Sequence, residues 1–157
     1  MEQKTNVMRL LDQKKIEYKA HFYGSTGAVG GIEVANALAE SPRQVFKTLV
    51  TVSKLRKYYV FMIPVCDELD LKKAAACVGE KSIEMLKSKE LLPLTGYVHG
   101  GCSPIGMKKF FRTTIHSSAL EFDRIYFSGG RIGCQIETSL ENLKKIIKVD
   151  TAEIISE

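Results

Sequence analysis

The chain has 157 residues, 45% hydrophobic and 26% charged, with a formal charge of +5 and a pI near 9.0. Residues 1–157 are therefore read as a single domain with enough apolar chain for a real core. No run of 18 apolar residues and no charged-then-apolar leader occurs, so neither a membrane span nor a signal peptide is expected, and the cytoplasm is the expected location. The cysteines (Cys66, Cys77, Cys102 and Cys134) are scattered, with no Cys-x-x-Cys pair. That is the pattern of free thiols in a reducing compartment. The basic excess permits a polyanionic partner and falls mainly in the first half. Its densest cluster, Lys54-Leu-Arg56-Lys57, reads equally as a solvated hairpin turn or as a phosphate-contacting patch.

In chain order, Val7, Leu10 and Leu11 recur at helical spacing, with Thr5 or Asn6 as N-cap. Ile16, Tyr18 and Ala20 alternate with charged residues, a half-buried strand running towards Phe22. Gly24 to Gly31 is a loop, followed by a short helix from Ile32 to Ala39. Val45 to Val52 is β-branched and aromatic with apolar residues on both faces, the pattern of a central strand. Lys47 interrupts it, on the face of Val45 and Leu49. A cation there either snorkels to a sheet edge or points into a cavity that takes an anion. Tyr58 to Pro64 returns as the second arm of an antiparallel hairpin.

Asp70 caps a helix from Leu71 to Val78, which Gly79 ends. Ser82 to Leu86 is ambiguous between helix and strand, and Ser88 to Leu92 is one more helical turn. Tyr97 to Gly106 is a Gly-rich loop. Thr113 to Ile115, Arg124 to Ser128 and Gly133 to Glu137 are strands, the last two joined by Gly129-Gly130. Thr138-Ser-Leu-Glu141 is a capping box for a final helix whose apolar face is Leu140, Leu143, Ile146 and Ile147. The interspersed order predicts an α+β or mixed α/β fold around a curled, mostly antiparallel sheet or partly open barrel flanked by helices.

His21, His99 and His116 have no metal-ligand spacing, and neither a Rossmann nor a Walker fingerprint is present, so no metal and no cofactor is expected. Gly101-Cys-Ser103-Pro104-Ile-Gly106 misses the serine-hydrolase elbow by one residue, and Pro104 removes a backbone donor from it. Cys102 with His99 is a conceivable nucleophile pair; the alternative is a semi-buried thiol. What remains is two Gly-rich turns, at Gly100–Gly106 and Ser128-Gly129-Gly130. Such turns can aim N–H groups at an oxyanion or phosphate, or can be plain tight turns.

Taken together, Phe46-Lys47-Thr48-Leu49, Leu69-Asp70-Leu71-Lys72-Lys73, Thr95-Gly96-Tyr97-Val-His-Gly100-Gly101-Cys-Ser103-Pro104-Ile-Gly106 and Ser128-Gly129-Gly130 occur in order. This resembles the YbaK family of aminoacyl-tRNA deacylases, free-standing relatives of the editing domain in bacterial prolyl-tRNA synthetases, over about residues 5–150. The resemblance implies that fold, and trans-editing by hydrolysis of Cys-tRNA(Pro). It implies Lys47 and Gly101 as catalytic residues, with the substrate held by Tyr23, Thr48, Gly100, Ser103, Ser128, Gly129 and Gln135. It implies an aminoacyl-tRNA substrate and prolyl-tRNA synthetase as partner; a monomer is the default expectation. In the family's proposed mechanism the substrate's own thiol attacks its ester carbonyl, while backbone donors around Gly101 stabilise the oxyanion and Lys47 holds a terminal phosphate or biases the charge. Ile132 stands where many members are basic, Gln135 where some have Asp, and the Gly24–Gly31 loop lacks a pocket Phe found in some. These departures leave the amino-acid preference open: Ala-tRNA(Pro) or another small misacylated residue is the second reading. A silent module that binds tRNA or a synthetase is the third.

Overall fold

β2 (Phe46–Ser53) belongs to one sheet and touches the other, and its neighbours decide where a cavity can form. The computed structural model describes residues 4–24, 27–28 and 30–157. Before β2 come α1 (Asn6–Gln13), β1 (Lys19–Phe22) and α2 (Gly31–Ala37). After it come β3 (Tyr58–Pro64), α3 (Leu71–Cys77), β4 (Ile83–Met85), α4 (Ser88–Thr95) and β5 (Arg112–His116). A 3₁₀ turn (Ser117–Glu121) leads to β6 (Ile125–Ser128), β7 (Cys134–Thr138), α5 (Leu140–Ile146) and β8 (Val149–Ala152). The expected Gly24–Gly31 loop lies partly outside the described residues.

The α+β expectation holds, with the strands divided between two sheets. One has the order β4-β2-β3-β5-β8 and the other β1-β7-β6. The β2–β3 hairpin forms as expected, with Lys47 opposite Ile63. The pairings β3–β5 and β5–β8 are parallel, a departure from the antiparallel majority. β8 had no signal of its own, because Ile146 and Ile147 run the apolar pattern of α5 straight into Val149. The ambiguous Ser82–Leu86 segment resolves as strand, pairing Ile83 to Met85 with the far end of β2.

Local chemistry sets the helix starts. The Thr5 hydroxyl accepts from Met8 N, and Asp70 Oδ1 accepts from both Lys72 N and Lys73 N at 3.0 Å. The cap of α5 is Ser139, whose Oγ accepts from Asn142 N at 3.0 Å, instead of the expected Thr138. Thr138 is held in the β7 ladder opposite Ile125 and donates its hydroxyl to Glu17 O at 2.7 Å.

The main core gathers Val7 and Leu11 of α1, Phe46, Met62, Phe127 and Ile136 of the strands, and Leu143 of α5. Fully burying such side chains stabilises by roughly 1.5–3 kcal/mol each. Phe46 is 1% exposed. Its burial pins the register of β2, because a one-residue slip would send Lys47 into that core. Lys47 is thereby fixed on the opposite face.

Candidate functional site

The site begins as a gap in the hydrogen bonding of β2. β4 covers β2 only over Thr51–Ser53, and Val45 bridges to Tyr126 of the other sheet, whose N–H donates to Gln44 O at 3.1 Å. Between those anchors no strand among the described residues pairs with that edge. Val45 O accepts from Val65 N on the β3 side, whereas Val50 O accepts from Leu86 N on the other. Antiparallel alternation then turns the main-chain groups of Phe46 and Thr48 towards the open edge.

A cavity of about 210 Å³ fills the gap. On one face of β2 it is bounded by Lys47, Val65 and the start of α2, on the other by Thr48, Leu91, His99, Gly100 and Cys102. The three-stranded sheet contributes Ser128 and Gln135, direct partners across β6 and β7, and Tyr23 follows β1. The volume is below the roughly 300–1,000 Å³ of sites for drug-sized ligands. It suits a small acyl group.

The lining is short of hydrogen-bond partners. Lys47 is half-buried, and among the described residues no hydrogen bond or ion pair engages its ammonium. Three buried side-chain oxygens lack a partner among the described residues: Thr48 Oγ1, Gln135 Oε1 and Ser118 Oγ. The first two line this cavity. Gln135 is only 6% exposed. An unsatisfied buried polar group costs about 1–3 kcal/mol, so the two oxygens on its wall make this cavity the candidate binding site. The N–H groups of Gly100 and Cys102 also have no acceptor among the described residues.

Lys47, Tyr23, Thr48, Gly100, Ser128 and Gln135 all line the cavity, while Gly101, Ser103 and Gly129 lie outside its wall. The Gly101 N–H donates to Val98 O at 3.0 Å. A Cβ on Gly101 would stand 3.0 Å from Ile132 N and 3.1 Å from Arg131 backbone. Ser103 is fully buried, its Oγ accepting from Ile105 N. Gly129 lets the chain pass against the Cys134 side chain. The loop also clamps itself, since the Tyr97 hydroxyl donates to Ile105 O and the Thr95 hydroxyl accepts from Tyr97 N. Much of the recognised Gly-rich run therefore shapes the wall rather than touching what lies inside.

Cys102 does not form an activated pair with His99. Burial pushes its thiol up to about 12, so it stays protonated, and no hydrogen bond joins the two among the described residues. Nor, among the described residues, is any group of three His, Cys, Asp or Glu side chains placed to hold a metal ion.

Sequence reasoning missed a polar network on the same face of the three-stranded sheet. Glu137 accepts from Arg124 Nε at 2.8 Å and meets His21 Nε2 at 2.8 Å, while the Tyr126 hydroxyl donates to Glu40 at 2.8 Å. The signal was the shared face of His21, Tyr126 and Glu137, visible only once the strands are paired. Burial pushes the Glu137 carboxyl up, but its hydrogen bonds with His21 and Arg124 outweigh it and hold it below its ordinary 4.5. A lowered folded pKa gives stability that is present above 4.5 and lost as the pH falls through the folded value. Glu137→Gln should therefore lower the melting temperature at pH 7, with the gap to wild type closing on acidification below pH 4.5. Paired thermal melts across that range check it.

Comparison with known proteins decides the family. Residues 28–146 match the aminoacyl-tRNA editing domain. The chain belongs to that family. It is also 43% identical over 154 residues to EbsC of Enterococcus faecalis, assigned as a Cys-tRNA(Pro)/Cys-tRNA(Cys) deacylase, covering 98% of this chain and 94% of that one. Among solved structures, one described as a trans-editing enzyme for prolyl-tRNA synthetase superposes with a TM-score of 0.83 at 21% identity, over 99% of this chain and all of that one. The hypothetical protein APE2540 superposes with a TM-score of 0.88 at 20% identity, over 97% of this chain and 100% of the other. At such identities these two structures speak for the fold. The family places the cavity beside Lys47 in an editing domain.

Proposed function

We propose that the protein is a trans-editing deacylase that hydrolyses Cys-tRNA(Pro) in the cavity beside Lys47. The observation that carries this reading is the convergence of an unpartnered ammonium and two unsatisfied buried oxygens on one small cavity in an aminoacyl-tRNA editing domain. The 43% identity to EbsC supports cysteine as the acyl group.

An aminoacyl ester is already activated, so binding and charge placement supply most of the catalysis. The substrate thiol attacks its own ester carbonyl: an S–C bond forms, the C–O bond to the tRNA 3′-oxygen breaks, and the thiol proton passes to that oxygen. Water then opens the cyclic thioester. Lys47 offers positive charge to the terminal phosphate or to the oxyanion as it develops. Gln135 Oε1 and Thr48 Oγ1 orient the aminoacyl group, and Tyr23 and Ser128 complete the wall. Oxyanion donation falls to the N–H groups of Gly100 and Cys102, since that of Gly101 is bound to Val98. Gly101, Ser103 and Gly129 hold the loops that carry those donors. The protein acts in the cytoplasm as a monomer, with prolyl-tRNA synthetase as the partner that selects the tRNA.

The test is deacylation of Cys-tRNA(Pro), Ala-tRNA(Pro) and Pro-tRNA(Pro) side by side. The cysteinyl ester should disappear fastest and the prolyl ester persist. Preferential loss of the alanyl ester would rule out thiol assistance and require attack by water. Inactivity on all three with tRNA binding retained would make the chain a binding module.

A further inference from the structure

We propose that the groove between Met107–Phe110 and the end of α5 docks the RNA backbone of the aminoacylated substrate. The inference rests on the deacylase reading above and extends the site from the acyl group to the nucleic acid. The groove has a volume of about 400 Å³, with Pro104, Met107, Phe110, Ile147 and Lys148 among its walls. A second depression shares Phe110 and Lys148 and adds Arg112 and Asp150.

Lys108, Lys109, Arg112 and Lys148 are exposed around this surface. Among the described residues Asp150 is the one carboxylate lining the two depressions, and Arg112 Nε stands 3.7 Å from it. Lys108 reaches Pro93 O at 3.3 Å. Lys109 and Lys148 have no ion pair or hydrogen bond among the described residues. Lys144 and Lys145 lie on the last turn of α5, where cations complement the helix end, and they are not needed here.

Between the lysines stands Phe110, 52% exposed. Cations around an exposed aromatic fit a nucleic acid, whose phosphates they neutralise and whose unpaired bases stack on the ring. The groove lies close to the active cavity along the chain. Cys102 lines the cavity and Pro104 lines the groove, at most about 7 Å apart along the backbone.

The Lys54–Lys57 cluster is the poorer candidate. Arg56 pairs with Glu90 at 2.8 Å and lies 5.5 Å over the Tyr58 ring. The turn also stands about 23 Å from Lys47, at ~3.3 Å per strand residue. It behaves as the solvated hairpin tip.

The experiment measures binding of uncharged tRNA(Pro) across a salt series for wild type, K109E/K148E, Phe110→Ala and, as control, K54E/K57E. The double variant should bind ~10-fold or more weakly, with a slope of log K against log salt smaller by about 2, near 0.9 per phosphate contact. Phe110→Ala should weaken binding with the slope unchanged, and K54E/K57E should match wild type. Thermal melts establish that each variant is folded. If K109E/K148E is not, the single Lys109→Ala and Lys148→Ala variants should each reduce the slope by about 1. Wild-type binding by the double variant, or loss confined to K54E/K57E, overturns the proposal. Hydrolysis of cysteinyl-adenosine, which lacks the RNA backbone, is read separately. It should be equal in wild type and K109E/K148E, whereas failure of wild type to hydrolyse Cys-tRNA(Pro) would overturn the deacylase reading and leave the binding result to judge the groove.

Discussion

Lys47→Ala should lower kcat/KM for cysteinyl-ester hydrolysis by ~10²–10³-fold, the range for removing one preorganised charge-stabilising donor. The same substitution should leave the melting temperature unchanged or slightly raised. These two expectations come from one fact, that Lys47 is half-buried with no partner among the described residues. A cation partly withdrawn from water without a counter-charge contributes nothing to folding and opposes it slightly, so removing it does not cost stability. Sites that trade stability for function in this way gain stability when emptied of function. Lys47→Arg should not restore the rate, because the broader guanidinium fork must enter a cavity of about 210 Å³. The checks are single-turnover deacylation and a thermal melt on the same preparations. Full activity in Lys47→Ala would remove the lysine from the mechanism. Parallel losses of activity and stability would make it a structural residue.

The sequence made that lysine conspicuous, because a charged residue amid Val45, Phe46, Leu49 and Val50 violates the pattern of a two-sided central strand. It could not decide between a sheet edge and a cavity, and the structure shows that both descriptions apply. β2 is interior by sheet order, yet at Lys47 one edge is open, because β4 is too short to cover it. That openness depends on where β4 and Tyr126 meet β2, which no local pattern encodes.

The same limit explains the other gaps. Thr5, Asp70 and Gly79 announce helix ends by their own chemistry, and each acts at the end expected of it. Gln135 entered through the family resemblance, where some members have Asp, but its lack of a partner shows only once β6 and β7 are paired. His21, Arg124 and Glu137 are far apart in sequence, so their network required the fold. The parallel pairings of β5 escaped for a related reason, since Thr113 to Ile115 is equally good as either kind of strand.

Gly101→Ala is expected to reduce both stability and activity, and the coupling separates it from Lys47. The resemblance to known deacylases implied a catalytic glycine here, supplying a backbone donor. In the structure its N–H is already bonded to Val98 O. What the position demands is the missing side chain. An added Cβ meets Ile132 N at 3.0 Å and Arg131 backbone at 3.1 Å, and backbone cannot rotate aside as a flexible side chain would. Overpacking of this kind costs about 1–3 kcal/mol, which for a chain of this length is a fall of several degrees in melting temperature. The loop must retreat from the β6–β7 turn, and Gly100 and Cys102 move with it. Their N–H groups then shift by a few tenths of an ångström relative to the ester, so the rate should fall, by less than the ~10²-fold that a full 1 Å misplacement costs. Melting and deacylation measured together distinguish the roles. A lower melting temperature with a reduced rate fits a glycine that sets the position of its neighbours. An unchanged melting temperature with the activity abolished would return Gly101 to direct contact with the reacting atoms.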